Sequence, residues 1–356
     1  MNHTQIQMAI DELRRDGKEP INLATGGFLL SPSKEVVDLV QEVQLTHYHY
    51  TSSIGDLSVR EEFSNLLNKE FSQQLDAQNI AFVFGGTEGV FLTIAALKEV
   101  RQWLHFVPGW HTLATILNTL NRSMIKCNLE LFSKADLNHE NRGIYLNTPV
   151  NPTGALIPLE LINDCLENTN KPVLLDMVYE GMTSTPMTDY FHTITANALS
   201  QIAHSTVVFS LSKLYRLAGL RLGIIVGAKP LIKEIATLKS AMTLNLPLDI
   251  QRLIPKLWRL RHQEMNTVSA FLKQRSDYLE DYNQRYNLSL LPSQATHYRL
   301  LECGDEVQDL FEYLIQHQIF LAPCEHNDLP RCLRFNLSAD LPKLEIFLEI
   351  LTKRIR

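Results

Sequence analysis

Val207-Val208-Phe209-Ser210-Leu211-Ser212-Lys213-Leu214-Tyr215-Arg216-Leu217-Ala218-Gly219-Leu220-Arg221-Leu222-Gly223 is the stretch that decides the reading of this chain. It opens as a short β-branched and aromatic run, which reads as a buried strand. Two hydroxyls and a lysine stand where that strand ends. Eight residues on, Arg221 lies between glycines, ahead of a second apolar run, Ile224-Ile225-Val226-Gly227. In an open α/β sheet the strand ends are where ligands bind. A lysine held there among apolar neighbours can lose its proton and act as a nucleophile. Ser210 and Arg221 supply donors for a phosphate, and the planar guanidinium suits bidentate recognition of one.

Outside this stretch the chain alternates short apolar strands with helical segments. Ile80-Ala81-Phe82-Val83-Phe84 is the first strand. It runs into Gly85-Gly86-Thr87-Glu88-Gly89 and then the apolar helix Val90 to Leu97. Strand, glycine turn and helix N-terminus together leave free backbone N–H groups and a positive dipole end, an anion cradle. Further strands are Trp103–Val107, Ile125–Leu129, Gly143–Asn147 and Pro172–Asp176. The alternation predicts an α/β fold, a mostly parallel sheet with helices on both faces. Polar residues mark the strand ends: Trp110 after Pro108-Gly109, Asn151 in Asn151-Pro152-Thr153-Gly154, and Asp176 followed by Tyr179. Asp176 closes a run of Val and Leu, where a carboxylate is costly to bury without a cationic partner.

Residues 249 to 282 read as one long helical stretch with Ile254, Leu257, Met265, Val268, Leu272 and Leu279 along one face. Beyond it the pattern is strand, helix, strand, strand, helix, a small second α/β unit. The expected division is an N-terminal segment, 1–45, packing with the small domain; a large domain, 46–250; and a small C-terminal domain, 251–356. The N-terminus predicts helices at Met8–Leu13 and around Val36–Val40. His47-Tyr48-His49-Tyr50 has a metal-like spacing, but no matching ligand cluster accompanies it, so no metal is expected.

Composition bounds the function. The chain has 356 residues, 45% of them hydrophobic and 20% charged, with a net charge of −6. That suits a globular protein with a sizeable core and gives no basic patch for nucleic acid. No apolar run is long enough to cross a membrane, and residues 1–18 lack the apolar core of a signal peptide. The five cysteines are scattered, without paired spacing, which fits reduced thiols and a cytoplasmic setting.

Asn151-Pro152-Thr153-Gly154, Asp176-x-x-Tyr179 and Ser210-x-Ser212-Lys213 with Arg221 stand in the order, and near the spacing, of the fold-type-I pyridoxal-phosphate enzymes. The chain resembles the class I/II aminotransferases among them, most of all the histidinol-phosphate-aminotransferase-like branch. The resemblance implies a pyridoxal 5′-phosphate cofactor held by Lys213 as a Schiff base, with Lys213 also moving the substrate proton. It implies that Asp176 pairs with the ring nitrogen, and that Asn151 and Tyr179 donate to the ring's phenolic oxygen. Trp110 would stack on the ring. The phosphate would lie at the backbone of Gly86, Thr87 and Glu88, with Ser210 and Arg221, and Tyr50 would reach the phosphate of a partner subunit in a homodimer. Arg334, in Leu333-Arg334-Phe335-Asn336, would grip the substrate's α-carboxylate, near Gly26 and Asn151. The family's first-domain loop usually has a proline soon after its glycine; here Gly26 is followed by Gly27-Phe28, which leaves the substrate side chain open. The implied reaction moves an amino group between an amino acid and a 2-oxo acid. A pyridoxal-phosphate-dependent lyase, decarboxylase or cyclase is the alternative on the same scaffold, and a non-enzymatic cofactor-binding role is a third reading.

Overall fold

The computed structural model describes residues 1, 3–129, 142–167 and 171–355. Its strands are β1 (Ile21–Asn22), β2 (Ile80–Phe84), β3 (Gln102–Val107), β4 (Ser123–Asn128), β5 (Arg142–Asn147), β6 (Val173–Met177), β7 (Ser205–Ser210), β8 (Leu222–Val226), β9 (Tyr298–Glu302), β10 (Ile319–Phe320), β11 (Ala322–Pro323) and β12 (Cys332–Asn336). Seven of them form the central sheet, in the order β2-β8-β7-β6-β5-β3-β4. All run parallel except β8, which is antiparallel to both neighbours.

Alternation along the strands sorts side chains to two buried faces, as a pleat requires. Phe82, Leu104, Ile144, Leu175, Phe209 and Ile224 face one core, joined by Phe63 and Leu67 of the helix Leu57–Phe71 and by Ile194 of the helix Thr188–Ser200. Val83, Trp103, Tyr145, Leu174, Val208 and Ile225 face the other, covered by Val90 and Ile94 of the helix Gly86–Ala96 and by Ile232 and Ile235 of the helix Lys229–Met242. Both faces being dry explains why these strands read as continuous apolar runs.

Where the sequence suggests one long helix from Asp249, the structure has three, Leu248–Gln251, Leu253–Arg259 and Arg261–Tyr286. Pro255 is the physical reason for the early break. It has no N–H to donate and is tolerated only in a first turn, so a helix starts just before it. The predicted face is nevertheless correct, since Ile254, Leu257, Met265, Val268, Leu272 and Leu279 are all buried.

Two small sheets complete the fold, β11-β12-β9 and the pair β1-β10. Ile21 pairs with Ile319 in parallel register, and the Asn336 backbone N–H donates to the Leu23 carbonyl at 2.9 Å. Asn336 Nδ2 then donates to the Thr25 and Gly27 carbonyls at 3.2 and 2.6 Å. The residue 24–28 loop is thereby strapped to β12. Behind the Lys213 turn lies a buried ionic frame: Arg216 pairs with Glu264, Ser33 Oγ donates to Glu264 at 2.5 Å, and Arg261 pairs with Glu70 and Glu180. Removing one member of such a frame strands a buried charge, so the frame fixes the turn's geometry.

Candidate active site

The central sheet brings its functional residues to one edge. β2, β3, β5, β6 and β7 all end there, and antiparallel β8 begins there. Register sets Asn147 beside Asp176, Ser210 beside Gly223 and Phe84 beside Leu222. A cavity of about 390 Å³ opens over this edge, in the size range of small-molecule sites. Gly26, Gly86, Thr87, Trp110, Asn151, Asp176, Tyr179, Ser210, Lys213, Arg221 and Arg334, all singled out in the sequence, line it.

Two expected residues stand outside. Glu88 turns its carboxylate away, accepting from the Phe84 N–H at 2.6 Å, from Thr243 Oγ1 at 2.7 Å and from the fully buried Lys239 at 3.0 Å. A buried ammonium needs an anion, and Glu88 is the one in reach. Gly86 and Thr87 line the cavity, while Glu88, expected to contribute its backbone and not its carboxylate, follows them in the first turn of the same helix. Tyr50 is 84% exposed and reaches no part of this chain's cavity. Nearby, His47 donates through Nδ1 to Asp249 at 2.7 Å, and the same carboxylate also accepts from the Thr46 and His47 amides. Thr46 and His47 are thus anchored by a carboxylate.

At one end of the cavity lies the N-terminus of the helix Gly86–Ala96, capped by Gly85 at φ 83°. Arg221 packs its guanidinium on Gly85 and donates to the Ala218 carbonyl at 3.0 Å. Gly223 is required here, because a Cβ on it would stand 2.6 Å from the Gly85 carbonyl carbon. Ser210 Oγ accepts from the Ser212 N–H at 3.2 Å, while the buried Ser212 Oγ has no partner among the described residues. A helix N-terminus, a guanidinium and hydroxyls make a site for a bound anion.

At the floor sits Asp176, 3% exposed. It accepts from Tyr145 Oη at 2.6 Å and from the Val178 N–H at 3.1 Å. Burial pushes its pKa up to about 6, against the pull of those two donors. A buried carboxylate with no cation beside it is an open valence for a cationic ligand atom.

Lys213 occupies the one-turn helix Leu211–Leu214 and points its Nζ at the Gly26 carbonyl. Burial lowers its pKa; Tyr298 opposes, while Arg334 and Arg221 add to the lowering. The same Gly26 carbonyl accepts from Tyr298 Oη at 3.0 Å and lies 3.3 Å from His297 Nε2. Tyr298 Oη also meets Tyr179 Oη at 3.2 Å, and Asn151 Nδ2 donates to Tyr179 Oη at 3.3 Å. Arg334 donates to Asn151 Oδ1 at 3.1 Å and to the Ala24 carbonyl at 3.2 Å, its guanidinium 4.1 Å from the Tyr298 ring centre. One polar chain therefore links Arg334, Asn151, Tyr179, Tyr298, Gly26 and Lys213. Tyr298, His297, Asn147 and Tyr145 were not singled out in the sequence. Each is an ordinary strand residue there, with partners far along the chain.

The family description "aminotransferase class I and II" matches residues 18–351. The (5-formylfuran-3-yl)methyl phosphate transaminase of Methanocaldococcus jannaschii is 22% identical over 320 residues, covering 87% of this chain and 84% of that protein. A histidinol-phosphate aminotransferase of Sulfurimonas denitrificans is 24% identical, covering 86% and 88%. A solved Methanococcus jannaschii structure, described as similar in its active site to kynurenine aminotransferases, superposes with a TM-score of 0.84 at 19% identity, over 99% of this chain and 96% of that one.

Proposed function

This chain belongs to the class I and II aminotransferases, and from that premise we propose how its residues divide the work of transamination. It is a pyridoxal-phosphate-dependent enzyme acting on amino and 2-oxo acids. When bound, the cofactor supplies a carbonyl carbon that receives the amino group and a ring that accepts the electron pair left at the substrate's α-carbon. The residues fit that group: an unpaired buried carboxylate for a protonated ring nitrogen, an anion cradle for its phosphate, and a lysine between them. The observation that carries the assignment is this convergence of Asp176, Lys213, Arg221 and Arg334 on one cavity.

In this reading Lys213 holds the carbonyl carbon and then moves the α-proton. Asp176 holds a proton on the ring nitrogen, Asn151 and Tyr179 donate to the phenolic oxygen, and Trp110 covers one ring face. Gly86, Thr87, Ser210 and Arg221 take the phosphate. Arg334 takes the α-carboxylate beside Gly26. A screen of amino acids and 2-oxo acids for conversion of the bound cofactor's visible spectrum tests the reaction and names the substrate. No lyase, decarboxylase or cyclase stands among the relatives reported above.

Asp176→Ala is the direct test of the ring contact. The variant will keep its cofactor, held at the phosphate end, and lose α-proton abstraction by orders of magnitude, because charge developing on the ring loses its counter-charge. Single-turnover absorbance measures it; near-native turnover would make Asp176 a structural carboxylate.

The assembly we assign is a homodimer, with Tyr50 completing the partner's phosphate site. Supporting it, Leu45, Tyr48, Tyr50, Leu57 and Met242 are exposed by 52% or more, and segment 51–56 is tied to 236–251 through Ser53, Thr51 and Asp56. Large apolar groups left exposed near one another in the chain support an interface there. Mixing Tyr50→Phe with Lys213→Ala protein will restore activity through hybrid dimers carrying one intact site; a fully active monomer on a sizing column would contradict the assignment. The straps between residues 21–29 and β10–β12 support grouping segment 1–45 with a small domain, 251–356, against a large domain, 46–250. For location we favour the cytoplasm, as the scattered cysteine spacing suggests; among the described residues no disulfide is formed and no helix is long and apolar enough to cross a membrane.

A further inference from the structure

We propose that Tyr145 is a positioning residue whose hydroxyl keeps the shared proton on the cofactor's ring nitrogen rather than on Asp176. The inference rests on the assignment of Asp176 to that nitrogen and adds a residue outside the cavity lining. Tyr145 lies on β5, fully buried, opposite Leu174; Asp176 is two residues further along β6, so the two are diagonal neighbours on one face of the sheet. The phenol donates to Asp176 Oδ2 at 2.6 Å, shorter than the 3.1 Å bond from the Val178 amide to Oδ1. Its ring is held between two others. Trp110 stacks over it at 6.4 Å and 26°, and His105 meets it edge-on at 5.3 Å and 62°. The hydroxyl is therefore aimed by its packing.

The titratable groups packed around this pair are themselves held neutral. Tyr145 stays a phenol, because burial first and then Asp176 push its pKa well above the usual value. Tyr179 is likewise kept neutral, chiefly by burial. His105, behind Tyr145, is drawn down to about 4 by burial and is neutral near pH 7. In this dry place two bases compete for one proton, the Asp176 carboxylate and the ring nitrogen. Each donor to the carboxylate stabilises its ionised form and weakens it as a base. With the Tyr145 hydroxyl present, the proton rests on the ring. Without it, the proton transfers from ring nitrogen to Asp176 oxygen, and the neutral ring is a poorer acceptor of the substrate's electron pair. No other reactant is consumed.

The test uses holoenzyme loaded with pyridoxal phosphate carrying 15N in the ring. In wild type the ring signal should be that of a protonated nitrogen, and in Asp176→Ala that of an unprotonated one. Tyr145→Phe should move the signal from the first toward the second and slow α-proton abstraction roughly tenfold to a hundredfold, the size of one hydrogen bond to a charged group. A merely structural role for Tyr145 would lower the Tm and leave the nitrogen signal in place. Should Tyr145→Phe not fold, 4-aminophenylalanine at this position, a weaker donor of similar size, should give an intermediate signal. A wild-type signal in whichever variant folds overturns the proposal. An Asp176→Ala signal equal to wild type instead overturns the Asp176 assignment on which it rests.

Discussion

Borohydride treatment of the purified yellow protein will leave the cofactor bonded to the peptide that contains Lys213, and Lys213→Ala will leave no label and no turnover. Lys213 is placed for this by its surroundings. Its one-turn helix is capped by Ser210 and fixed from behind by Arg216, which donates to the Leu214 carbonyl at 2.8 Å and pairs with Glu264. Its amine lines the cavity and points at the Gly26 carbonyl. Burial, then Arg334 and Arg221, lower its pKa while Tyr298 resists. The sign matters: a lowered ammonium pKa means more free amine at a given pH, so cofactor loading should persist to lower pH than an unperturbed lysine allows. Loss of the proton-moving group alone costs roughly two to four decades in rate. Mass spectrometry of the reduced digest reads the site directly, and label on any other lysine would sink the assignment.

The parts of this architecture that were legible in the sequence are those with local causes. A strand buried on both faces reads as a continuous apolar run, so β2 and β6–β8 declare themselves through runs such as Ile80–Phe84 and Val207-Val208-Phe209. A glycine turn at a helix start and a carboxylate ending an apolar strand are equally local, and they point to Gly86 and Asp176. Contacts made across the chain were not legible. Tyr298 meets Tyr179 across a separation of 119 residues, and Lys239 meets Glu88 across 151. The second pair shows the cost of local reading. Lys239 looks like one more solvated lysine of an amphipathic helix, yet it is fully buried and claims the Glu88 side chain. The extended stretches at Ile21 and Ile319 are readable as such, but their parallel pairing is not, nor are the Asn336 contacts to Leu23, Thr25 and Gly27 that hold this segment against β12.

That strap leads to Arg334, whose replacement by alanine will reduce kcat/KM for any α-amino acid by roughly two to four decades. Arg334 lies on β12 between Leu300 and Ala322, and its guanidinium is spread over the Tyr298 ring, so it is held flat toward the cavity. One arm donates to Asn151 and another to the Ala24 carbonyl, while the buried Nε has no partner among the described residues. A substrate carboxylate would complete those donors. Each charge-assisted hydrogen bond contributes about 1.5–3 kcal/mol, and about 1.4 kcal/mol is one decade, so losing a two-pronged contact gives the stated range. Arg334→Lys should recover only part of it, since an ammonium cannot reproduce the planar fork. Cofactor affinity should barely change if, as proposed, the phosphate is held away from Arg334 by Arg221 and the helix N-terminus. An amine without a carboxylate should react equally well with wild type and Arg334→Ala, which separates substrate recognition from damage to the site. Because Arg334 and Asn336 both hold the 24–27 loop, carboxylate binding would also draw that loop, and the Gly26 carbonyl that Lys213 faces, toward the cofactor. Amino-acid kinetics unchanged in Arg334→Ala would mean that the substrate is held through some other group, and the role given to β12 would fall with it.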